Sequence, residues 1–150
     1  MKTILTATAA MLALSAPLHA DGDAEKGEKE FKKCKACHMI ESPDETIVKG
    51  GKTGPNLYGI VGRAAASEEG FKYGESLAAL GEAGLVWNEE NLEEYMIDPK
   101  EFLAKELDDS GARSKMTFKL RKGGDDVAAY LATFSSETSD EGNAAEASSD

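Results

Sequence analysis

Apolar positions recur at helical spacing in a few stretches of the chain, and a long segment rich in glycine and proline separates these stretches. The clearest patterns predict helices over residues 21–34, 88–98 and 124–134. A shorter helix is expected over residues 76–81, and residues 102–111 form either another short helix or a loop. Because no stretch shows the convincing apolar–polar alternation of a half-buried strand, the pattern predicts an all-α fold.

The first predicted helix contains a glycine in its interior. Gly27 lies on the same face as Ala24, Phe31 and Cys34. A glycine inside a helix costs about 1 kcal/mol relative to alanine. We therefore expect another helix to cross closely at Gly27.

The region between the first two helical patterns is unusually long for a loop. Residues 39–74 carry few helix signals and many turn signals, including Pro43 and the pairs at residues 50–51 and 54–55. A segment of this length without regular structure is uncommon in a compact domain. Such a segment is explained when the chain wraps around a bound group.

Both ends of the chain have the composition of segments outside the folded domain. Residues 1–20 are typical of a secretory signal peptide, with a positive start, an apolar run too short to span a membrane, and a small-residue region ending at Ala20. Residues 135–150 are acidic, lack basic and large apolar residues, and are expected to form a disordered tail. The sequence thus predicts one exported domain over residues 21–134 without a stable membrane anchor.

The formal net charge of −11 restricts the partners of the protein. A chain this acidic argues against binding to nucleic acid. Screening limits the reach of a charge to about 8 Å at physiological salt, so a local cluster of lysines can still form a basic surface on an acidic protein.

The strongest chemical signal is the pentapeptide C-x-x-C-H, formed by Cys34, Cys37 and His38. This spacing is the attachment signature of c-type haem, in which each cysteine sulfur adds to a vinyl group and the histidine ligates the iron. From the pentapeptide alone, a thiol–disulfide redox pair and half of a zinc site stay open as alternatives. A four-ligand Cys/His zinc site would have to use His19, because the chain has only two Cys and two His.

A second iron ligand has to come from outside the pentapeptide. Removal of the signal peptide leaves His38 as the single histidine, which excludes a second His ligand from the same molecule. Met39 adjoins His38 and cannot reach the opposite face of a haem, and Met96 lies on the inner face of a predicted helix, where core packing explains it. Met116 lies in a polar segment with no helical face to join. We therefore expect Met116 to be the second ligand, with Met96 as the alternative.

Ligation by histidine and methionine has a chemical consequence. A thioether is a soft, neutral ligand that favours Fe(II), and an apolar pocket adds to this effect because it disfavours the extra charge of the oxidised form. With both axial positions filled, O₂ and peroxide find no vacant site. This ligand set therefore predicts one-electron transfer at a positive reduction potential rather than catalysis.

Further motifs support a family resemblance. They are Gly-Asp-Ala-Glu-Lys-Gly at residues 22–27, Lys-Thr-Gly-Pro-Asn-Leu-Tyr-Gly at residues 52–59, Gly-Phe-Lys-Tyr-Gly at residues 70–74 and Lys-Met-Thr-Phe at residues 115–118. With the pentapeptide, they make nearly all of residues 21–134 resemble the class I cytochromes c, most of all the bacterial cytochrome c2 group and the periplasmic cytochromes c550 within it. The resemblance implies the cytochrome c fold, in which helices and long loops wrap around one covalently attached haem c and the N- and C-terminal helices cross.

The resemblance also implies roles for residues around the haem. The Pro55 carbonyl would accept a hydrogen bond from the Nδ1–H of His38, which fixes the orientation of the imidazole. Tyr95 would form a hydrogen bond near the Met116 sulfur, and Phe118 would cover the haem edge. The residues that would surround the buried haem propionates are Arg63, Tyr73 and Trp87.

Basic residues concentrate in the segments that would border the exposed haem edge. As a set, they predict a basic docking face that steers acidic redox partners and forms a small, wet interface with them. For any single residue of the set, an ordinary solvated surface position is the better interpretation. The face consists of Lys32, Lys33, Lys35, Lys49, Lys52, Lys115, Lys119, Arg121 and Lys122.

These expectations describe a monomeric periplasmic electron carrier. By resemblance, it would take electrons from a cytochrome bc1 complex or a dehydrogenase-linked cytochrome. It would deliver them to a cytochrome c oxidase, a nitrite reductase, a peroxidase or, in a phototroph, a reaction centre. The main alternative is an enzyme, namely a haem c peroxidase with a labile sixth ligand, and a further alternative is a thiol–disulfide protein.

Overall fold

The computed structural model describes residues 22–135, so the predicted signal peptide and all of the predicted tail except Ser135 lie outside the described residues. Within this range, the α-helices run over Ala24–Glu30 (α1), Glu75–Glu82 (α2), Glu89–Ile97 (α3), Pro99–Glu106 (α4) and Gly124–Ala132 (α5). A 3₁₀ turn over Phe31–Lys33 continues α1 towards the C-x-x-C-H motif. The predicted helical class is therefore confirmed.

One small element departs from the all-helical prediction. Strands Ile40–Glu41 (β1) and Thr46–Val48 (β2) pair antiparallel, with Ile40 opposite Val48. An alternating pattern needs at least four residues to become recognisable. Because β1 has two residues and β2 has three, the sequence pattern could not reveal this hairpin.

The first and last helices cross at a position where no side chain fits. A Cβ atom on Gly27 would lie 1.9 Å from the backbone oxygen of Asp126 in α5. Beside this contact, the rings of Phe31 and Tyr130 pack with their centroids 5.7 Å apart. The close helix crossing predicted from Gly27 is thus confirmed, and it fixes the start of the domain against its end.

Helices α3 and α4 meet at a shared capping residue. Asp98 follows the last residue of α3, and its carboxylate accepts a hydrogen bond from the backbone N–H of Glu101 at the start of α4. Pro99 occupies the first turn of α4, where its missing N–H costs nothing. The helix left open over residues 102–111 therefore exists, but it begins and ends earlier than that range.

An aromatic wall joins these two helices to the loop before them. The ring of Trp87 lies 5.2 Å from that of Tyr95 and 6.0 Å from that of Phe102, measured between centroids. Trp87 and Phe102 are buried. This wall closes one side of the interior. Among residues 22–135, none of the helices is both long and apolar enough to cross a bilayer.

Candidate functional site

A cavity of about 660 Å³ opens between the C-x-x-C-H turn, the loop over residues 52–74 and the segment over residues 113–118. This volume lies within the range of small-molecule and cofactor sites. Every residue that the sequence analysis assigned to covalent attachment, iron ligation or the haem pocket lines this cavity. These residues are Cys34, Cys37, His38, Pro55, Arg63, Tyr73, Trp87, Tyr95, Met116 and Phe118.

The backbone of the loop that follows the motif fixes His38. Its Nδ1 lies 2.8 Å from the carbonyl oxygen of Pro55, and because a carbonyl can only accept, Nδ1 carries the proton. A Cβ atom on Gly54 would lie 2.4 Å from Cε1 of the imidazole, so the glycine packs directly against the ring. The lone pair is therefore on Nε2, which is free to bind a metal.

The protonation state of His38 also suits a metal ligand. Burial lowers the pKa of His38 below its usual value of 6.5, although the hydrogen bond with Pro55 and the negative charge of Glu68 act in the opposite direction. The imidazole is therefore neutral at pH 7, which is the form that binds metals.

The two cysteine thiols lie on the same turn as the histidine. The backbone N–H of Cys37 and that of His38 both donate to the carbonyl oxygen of Cys34, at 3.1 and 2.9 Å. Both thiols are free, and burial raises the pKa of Cys34 to about 11. Within residues 22–135, no three His, Cys, Asp or Glu side chains are grouped closely enough to hold a metal ion, and His19, which a four-ligand zinc site would need, lies outside these residues.

Side chains, rather than backbone, hold the segment that carries Met116. The backbone N–H of Met116 donates to Oγ of Ser114 at 3.1 Å, and the same oxygen lies 3.4 Å from the hydroxyl of Tyr95. Tyr95 was expected near the methionine sulfur, and the hydroxyl that it pairs with lies two residues before Met116. Burial raises the pKa of Tyr95, which keeps its hydroxyl protonated. Met96, the alternative ligand, also lines the cavity and is 7% exposed.

Arg63 brings a cation into the cavity wall. Its Nη1 and Nη2 donate to the carbonyl oxygens of Tyr58 and Asn56, at 3.2 and 2.8 Å. Its Nε is buried and has no hydrogen-bond partner among the described residues. An unpaired buried donor costs roughly 1–3 kcal/mol, and more when it is charged. A carboxylate on a group bound in the cavity would satisfy this donor.

These features fit the haem that the family resemblance implies. The apolar wall suits the porphyrin plane, and the free thiols of Cys34 and Cys37 suit its two vinyl groups. The neutral imidazole of His38 suits iron, and the unpaired Nε of Arg63 suits a propionate. Each of these four matches rests on a different property of the site.

Basic side chains border the cavity. Among the described residues, its lining contains no Asp or Glu, and its basic members are Lys33, Lys52, Arg63, Lys72, Arg113 and Lys115. All nine residues of the predicted docking face are exposed, but six of them lie outside this lining: Lys32, Lys35, Lys49, Lys119, Arg121 and Lys122. Two of the nine have acidic neighbours, since Lys33 pairs with Glu30 and Lys119 pairs with Asp98.

The sequence analysis missed several residues of the site. Lys72 stands apart from the lysine clusters in the sequence, and Arg113 was left out of the predicted docking face although it lies only two residues before Lys115. Gly54 was taken as a loop signal and as part of the motif at residues 52–59, but its contact with the imidazole, which is what requires a glycine, was not foreseen. Ser114 had no signal of its own, because its role depends on Tyr95, which lies 19 residues away.

Over most of its length, the chain is similar to proteins named cytochrome c-550 and cytochrome c2. Cytochrome c-550 of Paracoccus denitrificans is 57% identical over 149 residues, which cover 97% of this chain and 96% of that protein. Cytochrome c2 of Rhodobacter capsulatus is 59% identical over 135 residues, which cover 89% of this chain and 98% of that protein. The X-ray structure of cytochrome c2 from Paracoccus denitrificans matches with a TM-score of 0.75 and 63% identity, over 77% of this chain and 98% of that chain. No protein-family model matches the chain.

Proposed function

Because the chain belongs to the cytochrome c2 group of the class I cytochromes c, we propose that it carries single electrons in the periplasm with its haem iron held between His38 and Met116. Membership of this family already gives the protein one covalently bound haem c and a role in electron transport. The observation that carries the rest of the proposal is that the C-x-x-C-H turn and Met116 line one cavity. Met96 lines it as well, but it is a buried residue of α3, where core packing explains it.

The residues of the cavity have separable tasks in this proposal. The haem supplies a one-electron couple when it is bound. Cys34 and Cys37 would hold it through two thioether bonds. His38 offers Nε2 to the iron because its Nδ1 proton is committed to Pro55. Met116 offers a neutral sulfur, which favours the reduced state.

The cavity wall and its border complete the carrier. The apolar wall, including the buried Trp87, keeps water from the site and adds to the preference for the reduced state. Arg63 Nε is available to a propionate. The nine exposed residues of the predicted docking face form the proposed contact surface for acidic redox partners, and the exposed Lys72 and Arg113, which line the cavity, extend it.

The proposed partners follow from the family resemblance and from this basic surface. The donors are a cytochrome bc1 complex or a dehydrogenase-linked cytochrome, and the acceptors are a terminal oxidase, a nitrite reductase, a peroxidase or a reaction centre. The carrier acts as a monomer whose encounters are brief, so its interface with each partner is small.

Paired substitutions of the two candidate methionines test the ligand assignment. Met116→Leu and Met96→Leu each replace a thioether with a hydrocarbon of similar volume, so the core is little disturbed. We expect Met116→Leu to abolish the sulfur-to-iron band in the visible spectrum of the ferric protein and to let the ferrous protein bind carbon monoxide. Met96→Leu should leave both properties unchanged.

The same spectra separate the carrier from the peroxidase alternative. A wild-type protein whose ferrous form binds carbon monoxide at once has an open sixth site, which supports the enzyme. Retention of the band in Met116→Leu together with its loss in Met96→Leu would reassign the ligand. Failure of the protein to show a covalent haem stain on a denaturing gel would contradict the haem itself.

A further inference from the structure

One peptide group near His38 is hydrogen-bonded at both of its ends. The carbonyl oxygen of Pro55 accepts from His38 Nδ1 at 2.8 Å, and the N–H of Asn56 donates to Oε2 of Glu68, also at 2.8 Å. This carbonyl and this N–H belong to the same planar amide. A single peptide group therefore stands between the imidazole and the carboxylate.

The orientation of this amide is strongly fixed. The side chain of Asn56 accepts from the backbone N–H of Glu41 at 3.0 Å and donates to the carbonyl oxygen of Glu41 at 2.7 Å. The carbonyl oxygen of Asn56 accepts from Arg63 at 2.8 Å. On the other side, the backbone N–H of Glu68 donates to the hydroxyl of Tyr73 at 3.2 Å. Separate hydrogen bonds thus fix the amide and the backbone of Glu68.

A carboxylate bonded to an amide N–H changes the carbonyl at the other end of that amide. A charge-assisted hydrogen bond is roughly twice as strong as a neutral one, and bonds in a chain polarise one another by perhaps 10–30% each. The Glu68 carboxylate therefore makes the Pro55 carbonyl a stronger acceptor, which draws the Nδ1 proton of His38 outward. An imidazole polarised in this way is a more basic ligand through Nε2.

We propose that Glu68 is a positioning residue that acts through the Pro55–Asn56 amide on His38, strengthening the imidazole as a donor to the iron and lowering the reduction potential. This inference rests on the proposed role of His38 as an iron ligand. Glu68 does not line the cavity, so it acts on the bound group from behind the loop rather than by contact. The negative charge of Glu68 also raises the pKa of His38, against the larger lowering by burial.

Three substitutions separate two effects of Glu68. One is the chain of hydrogen bonds that reaches His38 through the Pro55–Asn56 amide (the relay), and the other is the charge of Glu68 alone. Glu68→Gln keeps an acceptor for Asn56 N–H but removes the charge. Glu68→Asp keeps the charge but withdraws the oxygen by one methylene group. Glu69→Gln removes a charge from the exposed neighbouring residue, which takes no part in the hydrogen bond to Asn56, and serves as the matched control.

The first measurement is the midpoint potential of the haem-loaded protein at low and high salt. We expect Glu68→Gln to raise the equilibrium constant for reduction by up to about tenfold, which for one electron corresponds to about 59 mV. Glu68→Asp should also raise it, because the hydrogen bond is lost. Glu69→Gln should change it less, and its effect should fade at high salt, where exposed charges are screened.

The second measurement is the NMR resonance of the His38 Nδ1 proton in the ferrous protein. We expect it to move upfield in both Glu68 variants, because the bond to Pro55 becomes weaker, and to stay in place in Glu69→Gln. A Glu68→Gln variant that matches Glu69→Gln in both measurements would overturn the relay. So would a Glu68→Asp variant that matches the wild type, and this second variant decides the matter if Glu68→Gln fails to fold.

The relay and the proposed function fail in different ways. If the wild-type spectra show the sulfur-to-iron band and a low-spin haem while the Glu68 variants keep the wild-type potential, only the relay is wrong. If the wild-type protein lacks a histidine-bound haem, the proposed function itself is wrong.

Discussion

The His38 side and the Met116 side of the cavity are held in place by different kinds of contact. On the His38 side, backbone hydrogen bonds join the motif to the following loop, from Gly51 N–H to Lys35 O at 2.9 Å and from Gly54 N–H to Cys37 O at 2.8 Å. On the Met116 side, residues 113–119 make no backbone-to-backbone hydrogen bond within the described part of the chain. The two proposed iron ligands thus lie in segments that differ in the backbone hydrogen bonds that hold them.

This difference indicates which side of the cavity opens at the lower free-energy cost. Segments with few buried contacts and few backbone hydrogen bonds open at low free-energy cost, whereas segments tied into the core open only with global unfolding. The proposed covalent attachment points, Cys34 and Cys37, lie on the side that these backbone hydrogen bonds hold. We therefore expect substitutions on the His38 side to lower the free energy of unfolding of the whole domain. Substitutions on the Met116 side should instead make local opening of that segment easier.

The largest expected effect comes from filling the space beside the imidazole. In Gly54→Ala, the new Cβ would lie 2.4 Å from Cε1 and 2.6 Å from Nδ1 of His38. The ring has to move, and its hydrogen bond to Pro55 is lost. Overpacking of this kind costs about 3 kcal/mol or more, so we expect a loss of this size in the free energy of unfolding, measured by denaturant titration.

A glycine on the other side of the cavity provides the matched control. A Cβ atom on Gly74 would lie 3.3 Å from Cγ of Lys115, a flexible side chain that can give way. Gly74 has a φ of −74°, so its backbone accepts an alanine, and Gly74→Ala should cost less than about 1 kcal/mol. Equal losses in the two variants would contradict the claimed difference between the two sides.

The sequence predicted most of this architecture where the signal is local. Periodicity and capping residues predicted the helices, and the C-x-x-C-H motif is contiguous in the sequence. Gly27 predicted the helix crossing, because a glycine inside a helix has a known free-energy cost that a close contact explains. The rest depends on pairs far apart in the chain. Tyr95 and Ser114 are 19 residues apart, and Asn56 and Glu68 are 12 apart, so no pattern within a single segment could join them.

The next effect in size tests the Met116 side directly. Ser114→Ala removes the acceptor for Met116 N–H and the partner of the buried Tyr95 hydroxyl. Each lost bond is worth about 1 kcal/mol, so opening of residues 113–119 should become easier by about 2 kcal/mol, or roughly thirtyfold. The rate at which the ferric protein binds added cyanide reports this opening, provided that Met116 must leave the iron first.

Two further variants show whether this effect is specific. Ser67→Ala removes another serine hydroxyl, which donates to the carbonyl oxygen of Ala64 at 2.6 Å on an exposed part of the loop, and it should leave the cyanide rate unchanged. Ser114→Thr keeps the hydroxyl and should restore most of the wild-type rate. A cyanide rate in Ser114→Ala that equals the wild-type rate would show that other contacts hold the segment closed.

The smallest expected effect concerns the charges at the cavity border. Lys33 lies on the His38 side of the cavity and forms an ion pair with Glu30. Lys72 lies towards the Met116 side, where its carbonyl oxygen accepts a hydrogen bond from Nζ of Lys115. An ion pair already offsets the charge of Lys33, so an acidic partner gains less from it. We therefore expect Lys72→Gln to lower the association rate with a purified cytochrome bc1 complex by about two- to fivefold at low salt, and Lys33→Gln to lower it less.

Stopped-flow rates across ionic strength measure both effects. Because screening removes the attraction, the Lys72→Gln and wild-type rates should converge as salt rises. A larger loss of association rate in Lys33→Gln than in Lys72→Gln would place the docking face on the His38 side. Wild-type association rates that do not change with salt would show that electrostatic steering plays no part at this surface.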